Sequence, residues 1–153
     1  MRRAAGVGIV LAIVFFMSVP AAAQMCLHDT NERRAQQNRR VAALIAVRAL
    51  AAAEEMVHLG NRSYQPLAAL SPFLAAHRSD GGQLGDVVRQ MRFDRNEILP
   101  GWRAQLLVDG DAYLLSFEDI DDPCGFAYTS DATGMVRQGY PVGRVVPLPR
   151  PQP

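Results

Sequence analysis

Apolar residues recur at three- and four-residue spacing over a long stretch near the start of the chain, and this pattern predicts one helix from about Asp29 to Leu59. Val41, Ile45, Ala49, Ala52, Met56 and Leu59 form one stripe, and Ala46, Leu50, Ala53 and Val57 form a second beside it. Arg40, Arg48, Glu54, Glu55 and His58 are left on a narrow polar wedge. An apolar arc this wide predicts a central spine with cover over much of its circumference. Seven alanines between Ala42 and Ala53 favour the helix and allow close approach of a neighbour. Asp29 is the predicted N-cap, with Glu32 three residues on. Gly60 and Asn61 supply the stop.

The pattern then changes twice. Arg62 to Ser71 reads as a loop and a short helix, with Tyr64 packing back on the spine, Pro66 starting a turn, and Leu67 and Leu70 inward. Pro72 to His77 predicts a second short helical piece, ended by Ser79-Asp80-Gly81-Gly82. Leu84 to Phe93 reads as a further helix with Leu84, Val87, Val88 and Met91 inward, and Asp94 to Gly101 as a polar connector. From Trp102 the period becomes two. Trp102 to Val108 and Ala112 to Glu118 pair about the turn Asp109-Gly110-Asp111, with Tyr113, Leu115 and Phe117 on one face. Gly125 to Ser130 and Gly134 to Gln138 form a second hairpin. The prediction is an α+β domain: a long N-terminal helix packed on a four-stranded antiparallel β-meander, with short helices between.

The two ends read differently from the middle. Met1 to Ala23 has the layout of a signal peptide: Arg2 and Arg3, an apolar core from Val7 to Val19, then Pro20 and Ala21-Ala22-Ala23 before a cleavage point at Gln24. That core is shorter than the roughly 20 apolar residues a membrane span needs. Met25 stands where lipoprotein processing at Cys26 wants Gly, Ala or Ser. The expected organisation is thus a signal peptide over 1–23, one α+β domain over 24–140, and an extended tail over 141–153 that holds five prolines. Membrane contact is expected only transiently, through the signal peptide.

Composition narrows the function. Without Arg2 and Arg3, 14 basic residues face 15 acidic ones, so no electrostatic case exists for nucleic acid as a partner. All the basic residues are arginine. In an exported chain two cysteines more often pair than stay free, and a Cys26–Cys124 disulfide is the expected use of both.

Catalytic residues are not found. His28, His58 and His77 are scattered and out of metal-ligand spacing, with His58 expected on the exposed wedge. No Gly-x-Ser-x-Gly or glycine-rich phosphate loop occurs. Ser63, Ser71, Ser79, Ser116 and Ser130 lack an activating partner. The acidic residues Asp109, Asp111, Glu118, Asp119, Asp121 and Asp122 are the candidate oxygen ligands for calcium, although their spacing does not match the twelve-residue calcium loop. The same carboxylates as a hydrolase pair would need separated environments that nothing in the sequence supplies.

Two segments carry a family resemblance. Arg40-Val41-Ala42-Ala43-Leu44 through Tyr64-Gln65-Pro66-Leu67-Ala68-Ala69-Leu70 resembles the soluble half of type IV pilin-like and pseudopilin-like proteins. Phe126-Ala127-Tyr128-Thr129-Ser130-Asp131-Ala132-Thr133-Gly134-Met135-Val136-Arg137 is similar to their closing hairpin. The prepilin cleavage motif is missing: Gly6 is followed by Val7, and Leu11 stands at the fifth position after it in place of glutamate. Cys26 and Cys124 also differ from the closely spaced C-terminal pair of many pilins. The resemblance implies a soluble headgroup without catalytic activity and a protein partner of the envelope or secretion machinery, while the signal peptide implies a place in the periplasm or outside the cell. Calcium binding in C-terminal loops, seen in some pseudopilins, is a further implication. A small periplasmic binding protein, calcium-dependent or not, is the alternative class.

Overall fold

The computed structural model describes residues 26–28 and 32–140. The expected signal segment 1–23, the proposed cap Asp29 and the tail 141–153 lie outside them. Over the described residues the fold is α+β, with three α-helices and a five-stranded antiparallel sheet in the order β1-β2-β3-β4-β5.

Helix α1 (Arg34–Asn61) runs for 28 residues, about 42 Å at 1.5 Å per residue. It starts five positions later than the sequence pattern suggested. The N-cap is Arg33, whose backbone N–H donates to Gln36 Oε1 at 2.9 Å. The helix also overruns Gly60. Arg62 takes the left-handed conformation at φ 56° and donates its N–H to His58 O at 2.7 Å, closing the C-terminus.

Only one face of α1 is fully covered. Ala43, Ala46, Val47, Leu50, Ala53 and Val57 are buried against the sheet and the short helices. The other predicted stripe is not: Ile45 and Ala49 are half-buried, while Val41, Ala52, Met56 and Leu59 face outward, Met56 at 59% and Leu59 at 74% exposure. An alanine-rich helix is apolar on more of its surface than its neighbours can cover, so the period alone does not choose the buried stripe. Glu54, read as part of the polar wedge, is fully buried. It stands in the row Val47, Leu50, Glu54, Val57, at helical spacing within the buried face.

Pro66 precedes a 3-10 turn over Leu67–Leu70, which runs into α2 (Ser71–Ala75). Helix α3 (Gly82–Gln90) packs Val87 and Val88 against α1, and Met91 just beyond it is also buried. Gly85 permits the tight approach of the preceding loop, since a Cβ there would sit 1.9 Å from Asp80 O.

The sheet has one strand more than expected. β1 (Glu97–Leu99) lies in the segment read as a connector and pairs with β2 (Trp102–Asp109) through Leu99↔Trp102. The intervening Pro100-Gly101, with Gly101 at φ 78°, makes the hairpin turn. The run is too short and polar for a period-two signal, and Ile98 and Leu99 alone are buried in it. β2 pairs over its full length with β3 (Ala112–Asp119) across the predicted turn, and β4 (Ala127–Asp131) and β5 (Val136–Gly139) complete the meander. Trp102, Ala104, Tyr113, Leu115, Phe117 and Tyr128 point to the helix side. The opposite side carries Arg103, Gln105, Glu118 and Arg137, with Arg103 and Glu118 paired across strands at 2.6 Å.

Candidate functional site

Cys26 and Cys124 are joined by a disulfide, their Cα atoms 5.3 Å apart across a separation of 98 residues. It fixes the strap Cys26-Leu27-His28 against the end of β3 and the turn that follows. Leu27 N–H donates to Asp122 Oδ1 at 3.2 Å, and Cys124 N–H to the same oxygen at 2.9 Å.

The bond brings His28 into the fold. Its side chain is 1% exposed and sits between two carboxylates, Nδ1 at 2.5 Å from Glu32 Oε1 and Nε2 at 2.8 Å from Asp119 Oδ2. A ring protonated on both nitrogens donates to both. Arginines from the first turns of α1 surround the pair: Arg40 Nη2 forms an ion pair with Glu32 Oε2 at 3.0 Å, and Arg39 Nη2 donates to Asp119 Oδ1 at 3.1 Å and to Asp121 Oδ2 at 2.9 Å. Asp119 Oδ1 also accepts Asp121 N–H at 3.0 Å. The buried carboxylates are thereby each paired, as burial requires, while Arg39 Nε and Arg40 Nε have no hydrogen-bond partner among the described residues. The imidazole packs on Phe126 with centroids 4.4 Å apart, above Trp102, which stacks between Phe117 and Tyr128. Tyr140 Oη donates to His28 O at 2.9 Å and lays its ring edge-on to Phe126.

Both His28 nitrogens thus face carboxylates and the ring is enclosed. The arrangement is suited to latching the chain start onto the sheet.

The six candidate calcium ligands do not converge. Asp109 and Asp111 flank the β2–β3 turn, whereas Glu118, Asp119, Asp121 and Asp122 lie at the far end of the same hairpin. Asp111 and Glu118 are seven residue steps apart along the strand, about 23 Å at 3.3 Å per residue. Glu118 is engaged by Arg103, Asp119 by His28 and Arg39, and Asp121 by Arg39. Among the described residues the three-ligand cluster of His, Cys, Asp or Glu side chains is Cys26, Asp122 and Cys124.

No protein-family model, curated protein or solved structure matches the chain.

His58, placed on an exposed wedge by the sequence, is half-buried and stacks on Tyr64 with centroids 4.2 Å apart. His77 pairs with Asp80 at 2.7 Å. Nearby Glu54 Oε2 accepts Gln65 N–H at 3.1 Å, tethering the loop after α1, while Oε1 has no hydrogen-bond partner among the described residues. Burial pushes the Glu54 carboxyl up, partly opposed by the Gln65 N–H and by His58. Burial also raises Tyr113, whose Oη lies 3.4 Å from Ser130 Oγ. In the β4–β5 turn the Thr133 hydroxyl and then Arg137 hold Asp131 down to about 2.

A cleft of about 350 Å³ opens between α1 and the β4–β5 hairpin, lined by Arg48, Glu55, Tyr113, Thr133 and Val136. A smaller, more enclosed and almost wholly apolar groove of about 220 Å³ runs between α1, α2 and α3, with Ala49, Ala52, Met56, Phe73, Leu74 and Leu84 along it. No helix among the described residues is long and apolar enough to cross a membrane.

Sequence reasoning missed His28, Glu32, Arg39 and Arg40 as one network. Two signals pointed to it. A Cys26–Cys124 bond necessarily carries His28 to the acidic loop. The alternation that buries Tyr113, Leu115 and Phe117 also puts Asp119 on the inward face.

Proposed function

We propose that this chain is an exported, non-catalytic interaction domain that serves protein–protein contact at the cell envelope, with a headgroup of pilin-like or pseudopilin-like kind. The observation that carries the reading is the exposed apolar stripe of α1. Val41, Ala52, Met56 and Leu59 continue along one side of the helix into the groove that Phe73 and Leu84 border. Exposed apolar surface gathered in this way marks contact sites more often than scattered single residues do. The occupant it fits is an apolar helical segment of a pilus or secretion component, laid in the groove with small residues beneath it. Three features support the wider reading: a long helix preceding a small antiparallel meander, a disulfide of the sort that persists in oxidising compartments, and a buried histidine with both nitrogens occupied.

The test is site-specific photocrosslinking in cells that make the protein. A crosslinking residue at Met56 is expected to capture a pilus or secretion component. The same probe at Gln105, on the opposite side of the sheet, is expected to capture none, and Leu59→Glu is expected to abolish the Met56 product. Equal products from Met56 and Gln105, or none of envelope origin from Met56, would overturn the proposal.

A further inference from the structure

The disulfide corner holds three potential ligand atoms. Cys26 Sγ, Cys124 Sγ and a carboxylate oxygen of Asp122 lie within 4.8 Å of one another. The two oxygens of Asp122 are used differently. Oδ1 takes the backbone N–H groups of Leu27 and Cys124, which orients the carboxylate against both cysteine-bearing segments. Oδ2 is buried and accepts no hydrogen bond from any described residue, in a side chain belonging to a residue only 6% exposed. A buried carboxylate oxygen without a donor is unfavourable, and a nearby cation relieves it. Both cysteines are half-buried, so the bond between them is open to a reductant.

The geometry points to a redox-gated metal site, in which the reduced chain binds a zinc-class divalent cation through Cys26 Sγ, Cys124 Sγ and Asp122 Oδ2. The gate is the disulfide itself. A dithiol reductant delivers two electrons and two protons: the S–S bond breaks, two S–H bonds form, and the reductant closes into its own disulfide. The cation then displaces both thiol protons, which pass to solvent, and forms two metal–sulfur bonds and one metal–oxygen bond. Water completes the tetrahedron. Sulfurs about 2.3 Å from a tetrahedral ion stand about 3.8 Å apart, a separation that side-chain rotation supplies when the Cα atoms are 5.3 Å apart. Two thiolates favour zinc over the calcium that an all-oxygen set selects. In the oxidised chain neither sulfur is a thiolate and the site is closed.

The experiment uses the full-length chain, reduced with a dithiol, desalted under argon and titrated with cobalt(II) as a spectroscopic stand-in for zinc. The reduced chain is expected to bind one cobalt with thiolate charge-transfer absorption, and zinc is expected to displace it. The oxidised chain is expected to bind none. Asp122→Asn keeps the acceptor for the two backbone N–H groups and is expected to weaken cobalt binding at least about tenfold, while Cys26→Ser abolishes the absorption. If reduction loosens the fold, cobalt is expected to restore the circular dichroism of the oxidised chain. Absence of the charge-transfer band in the reduced chain, failure of cobalt to restore a lost fold, or unchanged affinity in Asp122→Asn would each overturn the proposal.

Discussion

Replacing both Cys26 and Cys124 with serine removes the covalent tie while leaving the strap's hydrogen bonds free to form. The loop the bond closes spans 98 residues. Chain-entropy reasoning for a loop of that length assigns the bond about 4.7 kcal/mol at 25 °C. Set against a stability of about 5–15 kcal/mol for a domain of this size, that is a large fraction of the whole. The strap's other contacts are non-covalent: His28 to Asp119 and Glu32, Leu27 N–H to Asp122, and Tyr140 to His28 O. Each constrains the strap only after the chain has already folded around it, so none substitutes for a restraint on the unfolded state. Urea unfolding followed by circular dichroism measures the difference. With a slope of about 2 kcal/mol/M, the midpoint of the double variant is expected to fall by about 2 M. Adding a reductant to the unsubstituted chain is expected to give a similar shift. A loss under about 1 kcal/mol in both experiments would refute the reasoning, because the latch would then hold the strap equally well without the bond.

Glu54→Gln tests the buried carboxylate through its pH dependence. Burial raises the folded-state value above the ordinary 4.5, so the folded chain holds this proton more tightly than the unfolded one. Its contribution is therefore fully present below the unfolded value and is lost as pH rises through the raised one. Stability profiles of the two proteins are expected to diverge in favour of the glutamine variant on going upward from about pH 4, where parallel profiles would refute the assignment. Leu50→Ala, at a fully buried position, is expected to lower stability by about 2–5 kcal/mol, whereas Leu59→Ala, at a mostly exposed one, should change it by under about 0.5 kcal/mol. Comparable losses at the two sites by thermal or urea melts would refute the assignment, because both stripes of α1 would then be covered.

The elements with strong local signals were legible in the sequence. The β2–β3 hairpin follows from alternation on both sides of Asp109-Gly110-Asp111, and its register places that turn between paired Asp109 and Ala112. α3 follows from Leu84, Val87, Val88 and Met91, and the Cys26–Cys124 pair from the count of cysteines. What failed were choices among locally equal options. Alanine spread around α1 makes Val41-Met56-Leu59 and Leu50-Ala53-Val57 equivalent by period, and only the sheet, α2 and α3 decide between them. Glu54 reads as polar because its type is polar, although its spacing belongs to the buried row. β1 is three residues long and gains its place from β2, not from its own pattern. At the corner, Asp119 looks like one more acid in an exposed loop until the disulfide delivers His28 to it.

The position of that bond along the chain also sets an order of events. A polypeptide emerging from its N-terminus at about 5–20 residues per second presents Cys26 well before Cys124, which follows 98 residues later. The interval is about 5–20 s at that rate. Throughout it the first sulfur is unmatched, and any nearby oxidant or neighbouring nascent chain can reach it ahead of its proper mate. Sealing of the corner is therefore a late step in this protein's biogenesis, and crowding among newly made copies raises the share of cross-linked pairs.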